Sequence, residues 1–441
     1  MFMTRTSLVV ALCAGALLGP VDAASAQRRS GLADLATRID AVARPEAAAE
    51  LLSGVILVAK GDSILVQRSY GFANWELRAP LTAGSRFNIG SITKSMTHGV
   101  IEMLARQGRI DTLAPVAKYL PGFPRGPMGG QPTVAQLLAH RAGVPFRVTT
   151  RLEESTHLTP ADIVERVRTR GLLFEPGTRE LYSSAGYTCL ARVVEVVTAQ
   201  PFDSALAAFV FRPAGMHTAT GETGQQLMAG RTRGYRLSPG VATVTVANAP
   251  FVDLGFLTGA GDVYATATDM FRFVRAAHAN RLGSAAHEEL TDSGWTGIYG
   301  QTNGYEASVD YYAPLDITVV FLSNLYSMTN YQLRRAVRDL ITGRPAAAMV
   351  RPPAVVPAAQ DPAPLLGDYG DADDPVTVSE EQGRLFRDGN EFYPIADGWF
   401  YVPTTGARFR FTRGADGTVN GMFSRWESGQ EKQWARVGPP R

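Results

Sequence analysis

Two pairs of strand signals, separated by a long helical stretch, constrain this chain more than any other feature. Val55-Ile56-Leu57-Val58-Ala59 and Ile64-Leu65-Val66-Gln67 flank the short turn Lys60-Gly61-Asp62, which is the pattern of a β-hairpin. Strand patterns return at Tyr305–Tyr312 and Ile317–Ser323. Between the two pairs, apolar residues recur at helical spacing over Ser91–Gln107, Thr133–His140, Pro160–Arg170, Ala185–Ala199 and Thr266–Ala279. A helix over Gly31–Leu52 precedes the hairpin, and one over Tyr331–Thr342 follows the last strand. Strands at both ends with helices between predict one α+β domain whose sheet joins its termini.

The rest of the chain divides by composition. Residues 1–26 carry Arg5, then the apolar run Leu8–Leu18, then the small residues Ala24-Ser25-Ala26, the layout of a cleavable signal peptide. The run is short for a membrane span, and no later stretch is long and apolar enough to be one. The protein is therefore expected to be exported, periplasmic or secreted. Residues 27–343 form the α+β domain. Residues 344–364, rich in Pro and Ala, read as a semi-rigid linker. Residues 365–441 hold short alternating runs such as Val376-Thr377-Val378, Phe400-Tyr401-Val402 and Phe409-Arg410-Phe411, with turns at Asp388-Gly389 and Asp416-Gly417. They predict a small all-β barrel or sandwich.

Composition narrows the function classes. A formal charge of +2 in 441 residues shows no electrostatic footprint for nucleic acid. Two cysteines, Cys13 and Cys189, exclude a disulfide framework and a Cys-rich zinc module. His98, His157, His217, His278 and His287 show no metal-ligand spacing. No metal or organic cofactor is expected. Gly259-Ala260-Gly261 lacks the preceding strand and spaced acid of a dinucleotide site.

One motif carries chemistry. Ser91-Ile92-Thr93-Lys94 opens a predicted helix after Gly90. Residues three apart share a helix face, within side-chain reach. A serine hydroxyl needs a base to become a nucleophile. A lysine can serve once burial disfavours its ammonium form. The helix N-terminus adds backbone N–H groups suited to an oxyanion.

The stretch Phe87–Thr97 resembles the active-site helix of the class C β-lactamase-like serine hydrolases, a superfamily that includes penicillin-binding D-alanyl-D-alanine peptidases and carboxylesterases. The resemblance continues through Leu113–Pro121, Leu137–Pro145 (with Ala142 where the family has serine), Pro176-Gly177-Thr178, Tyr182-Ser183-Ser184 and Pro213–Met216. It implies a β-lactamase/transpeptidase-like fold, an antiparallel sheet flanked by helices. It implies that Tyr182 assists proton transfer and that Ser184 stands where an asparagine usually binds the substrate amide. The tail resembles the lipocalin-like barrel appended to some members. His140 reads as a satisfied structural histidine.

A third family element, a Lys-Thr-Gly or His-x-Gly triplet on a strand, aligns six residues before Gly304 with Ile298-Tyr299-Gly300. The glycine is kept and the cation is lost. Removing that cation is expected to weaken binding of the carboxylates of β-lactams and D-alanyl peptides, and neutral esters or amides less. Gly300 and Gln301 are then the substrate-binding backbone, with the N–H groups of Ser91 and Gln301 as the oxyanion hole. The expected activity is hydrolysis, through an acyl-enzyme, of an ester or peptide, with a cell-wall peptide among the candidate substrates. The altered Ser184 and Ile298 motivate an alternative, a catalytically weak or dead binding or regulatory protein on the same fold.

Overall fold

A computed structural model describes residues 34–439 apart from 222–226, 240–243, 283–288, 291–293, 357–360, 371–374, 382, 388–389, 404 and 427–428. The expected signal peptide and the Asp388-Gly389 turn lie outside the described residues. The helix predicted from Gly31 runs as α1, Leu35–Ala48, and the hairpin forms as β1, Gly54–Lys60, and β2, Ser63–Tyr70. The helix after Ser91 is α2, Ile92–Arg106, and that after Ser183 is α3, Ser184–Thr198. A strand follows at β3, Tyr235–Pro239, then helix α4, Ala267–His278. The last strands are β4, Glu289–Leu290, β5, Trp295–Thr302, β6, Tyr305–Tyr312, β7, Ile317–Ser323, and β8, Leu325–Tyr326, before helix α5, Met328–Ile341.

The main sheet has the order β4-β5-β6-β7-β1-β2 and is antiparallel throughout. Its centre is the pairing of β1 with β7, Gly54 opposite Ser323 through Lys60 opposite Ile317. The sheet thus joins the two ends of the domain, as the distant strand signals required. Six of the seven β1 residues are buried. The period of two explains why. Val55, Leu57 and Ala59 face one core with Ile92, Met96 and Val100 of α2. Ile56 and Val58 face a second core with Leu35 and Ile39 of α1 and Leu333 and Val337 of α5.

Helix starts are set by local chemistry. Thr133, Thr159 and Thr266 each form a capping box with the residue three positions on, and Pro160 occupies the first turn of its helix. β3 and its antiparallel partner Val244–Asn248 are joined through Pro239-Gly240, a turn signal in the sequence, and β3 also pairs in parallel with β8. β4 is described over Glu289–Leu290 and pairs with Thr296 and Gly297 of β5.

The C-terminal region is a nine-stranded antiparallel sheet that curls into a nearly closed barrel. Tyr369, Phe392, Phe409 and Met422 fill it. Phe400, Phe411 and Trp426 pack against that core partly buried. Among the described residues no single helix is long and apolar enough to cross a membrane.

Candidate active site

Ser91 stands at the N-terminus of α2, where the first N–H groups of a helix lack intrahelical partners. Gly90 delivers it there with φ +52°, a left-handed turn that a side chain would oppose. A Cβ on Gly90 would also lie 2.3 Å from the Gln301 backbone nitrogen. A Cβ on Gly300 would lie 2.0 Å from the Ile89 carbonyl oxygen and 2.8 Å from the Ser91 nitrogen. The two glycines therefore let strand β5 and the start of α2 touch backbone to backbone. That contact brings the Ser91 and Gln301 backbones together, as the expected oxyanion site requires. It also supports the register that put the triplet at Ile298-Tyr299-Gly300. Ile298 itself is buried, 7% exposed, and lines the cleft as an apolar wall.

Lys94 lies one turn along α2 and is buried at 7% exposure. Its Nζ donates to Ser91 Oγ at 3.2 Å, to Ser184 Oγ at 3.3 Å and to the Ala260 carbonyl oxygen at 2.8 Å. Burial pushes its pKa down to about 7, against an opposing pull from the Asp262 carboxylate. Tyr182 comes from the segment before α3 and is 44% exposed. Its hydroxyl donates to Ser91 Oγ at 2.8 Å. The Lys94 Nζ sits 4.8 Å from the centre of the Tyr182 ring. Ser184, where the family's asparagine would stand, keeps a hydrogen bond with Lys94. All six residues singled out in the sequence, Ser91, Lys94, Tyr182, Ser184, Gly300 and Gln301, line one cleft.

Two residues of the site, Asn88 and Ala260, carried no role read in the sequence, and a third, His140, was read as structural alone. Asn88 is fully buried, and it ties the site together. It accepts from the Gly90 N–H and the Thr302 hydroxyl and donates to the Gly261 carbonyl oxygen. The turn before α2, strand β5 and the 259–261 turn thus share one side chain. Ala260 acts through its backbone carbonyl alone, which no side-chain pattern could show. His140 was expected to be a satisfied core histidine. It is satisfied, since its Nδ1 accepts the Ser183 N–H at 3.0 Å, but it is only half-buried and lines the cleft. Its ring packs tilted against two tyrosines, with centres 4.5 Å from Tyr182 and 5.0 Å from Tyr187. Burial, with the nearby Lys94 charge, lowers its pKa to about 4, so it is neutral at pH 7. The signal for His140 was its place in a matched segment, and for Asn88 its place two residues before Gly90.

The cleft is about 1470 Å³ and is walled by the C-terminal barrel as well as by the main domain. Asn390, Glu391, Tyr393 and Pro403 all face it. Arg151 reaches Glu381 at 2.7 Å, and the Tyr393 hydroxyl donates to the Leu237 carbonyl oxygen at 2.6 Å. Among the described residues no cluster of His, Cys, Asp or Glu could hold a metal ion. Cys189 is buried, and its thiol is pushed up to about 12 by desolvation, so it is inert as a nucleophile.

The Tyr182 hydroxyl bond to Ser91 Oγ carries a testable consequence. Tyr182→Phe keeps the ring contact with His140 and removes only the oxygen. It is expected to lower kcat about 10²- to 10³-fold, with KM little changed, in steady-state ester hydrolysis.

A family model described as Beta-lactamase matches residues 39–341. PbpX of Bacillus subtilis (strain 168) is 29% identical over 253 residues, covering 56% of this chain and 61% of that protein. Penicillin-binding protein 4* of the same organism is 26% identical over 435 residues, covering 87% of this chain and 95% of its own. Esterase EstB of Burkholderia gladioli is 34% identical over 201 residues, covering 42% of this chain and 51% of its own. The chain thus spans about half to three-fifths of the length of two of these curated relatives.

Proposed function

The chain belongs to the beta-lactamase family, and from that premise we propose that it is an exported serine hydrolase that cleaves an ester or a peptide through an acyl-enzyme. One observation carries the reading: the buried Lys94 amine and the Tyr182 hydroxyl converge on Ser91 Oγ, at 3.2 and 2.8 Å. Ser91 Oγ attacks the substrate carbonyl. Its proton passes to the neutral amine of Lys94, with Tyr182 bridging proton transfer to the leaving group. The Ser91 and Gln301 N–H groups stabilise the oxyanion. The leaving group departs with the proton, and water then attacks the acyl-enzyme and regenerates Ser91.

The relative named as an esterase supports the ester class, and the peptide class rests on the D-alanyl-D-alanine peptidases that the sequence resemblance includes. Cell-wall peptides are the natural peptide candidates. The apolar Ile298 gives a substrate carboxylate nothing to pair with at the triplet position, which favours neutral esters and amides over β-lactams. Export rests on the signal-peptide layout of residues 1–26. The rival reading, a binding protein without turnover, rested on Ser184 and Ile298. Ser184 still hydrogen-bonds Lys94, so that substitution leaves the Ser91–Lys94–Tyr182 arrangement intact.

Covalent trapping tests the proposal. A fluorophosphonate probe is expected to add one label per chain, mapped to the peptide containing Ser91 by mass spectrometry. Labelling elsewhere, or none at neutral pH, would count against the acyl-enzyme mechanism.

A further inference from the structure

Charge is divided unevenly along the C-terminal barrel. Residues 365–398 hold nine carboxylates and two basic side chains, whereas residues 399–441 hold seven basic side chains and three carboxylates. The second half forms strands β9, Phe400–Val402, β10, Ala407–Arg413, β11, Val419–Arg425, and β12, Glu431–Gly438, side by side in that order. Residues opposite one another across a ladder share a face, and so do alternate residues of one strand. Val402, Ala407, Phe409 and Met422 belong to the barrel core. Arg408, opposite Arg425, and Arg410, opposite Phe423, therefore point outward. All three arginines are exposed.

Two aromatic rings lie among them. Trp399, just before β9, and Phe423 are partly exposed and meet edge to face, with centroids 6.0 Å apart. The Arg410 guanidinium lies 5.0 Å from the Trp399 ring centre, and that of Arg425 lies 5.7 Å from Trp399 and 5.9 Å from Phe423. A guanidinium held against a ring keeps its N–H donors for an oxyanion. Arg425 pairs with Glu431 at 2.6 Å. Among the described residues no carboxylate pairs with Arg408 or Arg410. The face thus joins excess positive charge to two apolar rings. An anionic bilayer complements both: its phosphates match the arginines, and its interfacial zone takes up aromatic rings. A soluble polyanion offers the rings no apolar layer to enter.

We propose that this outer face of the barrel docks the protein on an anionic phospholipid bilayer, with Arg408, Arg410 and Arg425 on lipid phosphates and Trp399 and Phe423 at headgroup depth. The same face continues from Arg408 through Tyr401 to Tyr393, which lines the cleft. Docking therefore holds the cleft near the membrane surface. The proposal goes beyond the hydrolase reading and does not rest on it.

The test is sedimentation with vesicles, using residues 27–441, which hold every described element and leave out the apolar leader. At about 0.1 M salt the chain is expected to sediment with phosphatidylglycerol vesicles and not with phosphatidylcholine vesicles, and to be released at about 0.5 M salt, where charges are screened. Arg408→Gln with Arg410→Gln is expected to lower the phosphatidylglycerol partition coefficient about 30-fold, about fivefold for each basic residue at such a surface. Gln433→Glu, which adds a carboxylate opposite Phe423, is expected to lower it about fivefold, so a poorly folded double variant would not end the test. Arg44→Gln with Lys60→Gln removes the same charge from exposed sites of the main domain and is expected to leave it within about twofold of native. Thermal melts check that each variant is folded. The proposal is overturned if the native chain binds both vesicles alike or neither, if the two double variants lose partition equally, or if folded Arg408/Arg410 and Gln433 variants bind undiminished. Retention on heparin that falls in the Arg408/Arg410 variant, without vesicle binding, would assign the face to a soluble polyanion and overturn it as well.

Discussion

Ser91→Ala is expected to abolish hydrolysis of p-nitrophenyl butyrate while leaving the fold intact. The loss should be about 10⁴- to 10⁶-fold in kcat, the range seen when a nucleophile is removed from a cooperating set. The fold should survive because Ser91 makes no packing contribution that alanine lacks. It is partly exposed in the cleft, and its side chain makes no capping bond to α2. Its hydroxyl contacts are Lys94 and Tyr182. Lys94 keeps Ser184 and Ala260 as acceptors, so no buried donor is orphaned. The thermal midpoint should therefore move by only a degree or two, about 0.5 kcal/mol. Circular dichroism melts beside the assay separate the two effects. Full activity in the variant would show that another group is the nucleophile, and a collapsed melt would show that Ser91 is structural.

The central sheet was legible in the sequence because its signals were strong and local. β6 and β7 begin and end at the predicted residues, Tyr305–Tyr312 and Ile317–Ser323. The Ser91–Lys94 spacing was legible for the same reason, since one helical turn fixes the geometry. What could not be read are contacts made by backbone or across long separations. The Lys94–Ala260 bond spans 166 residues and uses a carbonyl, which every residue possesses. Asn88 looks like any polar residue before a turn until Thr302, 214 positions away, closes on it. β3 and its partner Val244–Asn248 carry a hairpin signal in Pro239-Gly240, whereas the pairing of β3 with β8, far along the chain, has no local signal. Ile298, placed by the sequence reading at the triplet position, is a buried apolar wall of the cleft.

The pH profile should report Lys94 directly. With its pKa near 7, the base form is abundant at neutral pH, whereas an ordinary lysine at 10.5 would be almost wholly charged. The plot of kcat/KM against pH is expected to rise with pH, with a midpoint of about 7, and then level off. His140 cannot account for that limb, because its pKa lies near 4. Asp262 raises the Lys94 value, so Asp262→Asn should move the acid limb to lower pH. An unmoved limb would assign it to another group. The same burial carries a stability cost whose sign can be worked out. Between about 7 and 10.5 the unfolded chain holds a proton at Lys94 that the folded chain has lost. Stability contributed at this site therefore rises with pH across that window, and the penalty is fully present below it. Each pH unit in the window is worth about 1.4 kcal/mol. Lys94→Met replaces a desolvated amine with an apolar chain of similar length. It is expected to lower kcat about 10³- to 10⁴-fold and to raise the thermal midpoint at pH 7, with the gain shrinking toward pH 10. A variant both inactive and less stable would mean that Lys94 is charged in the fold, held by Asp262, and that the neutral-amine mechanism is wrong.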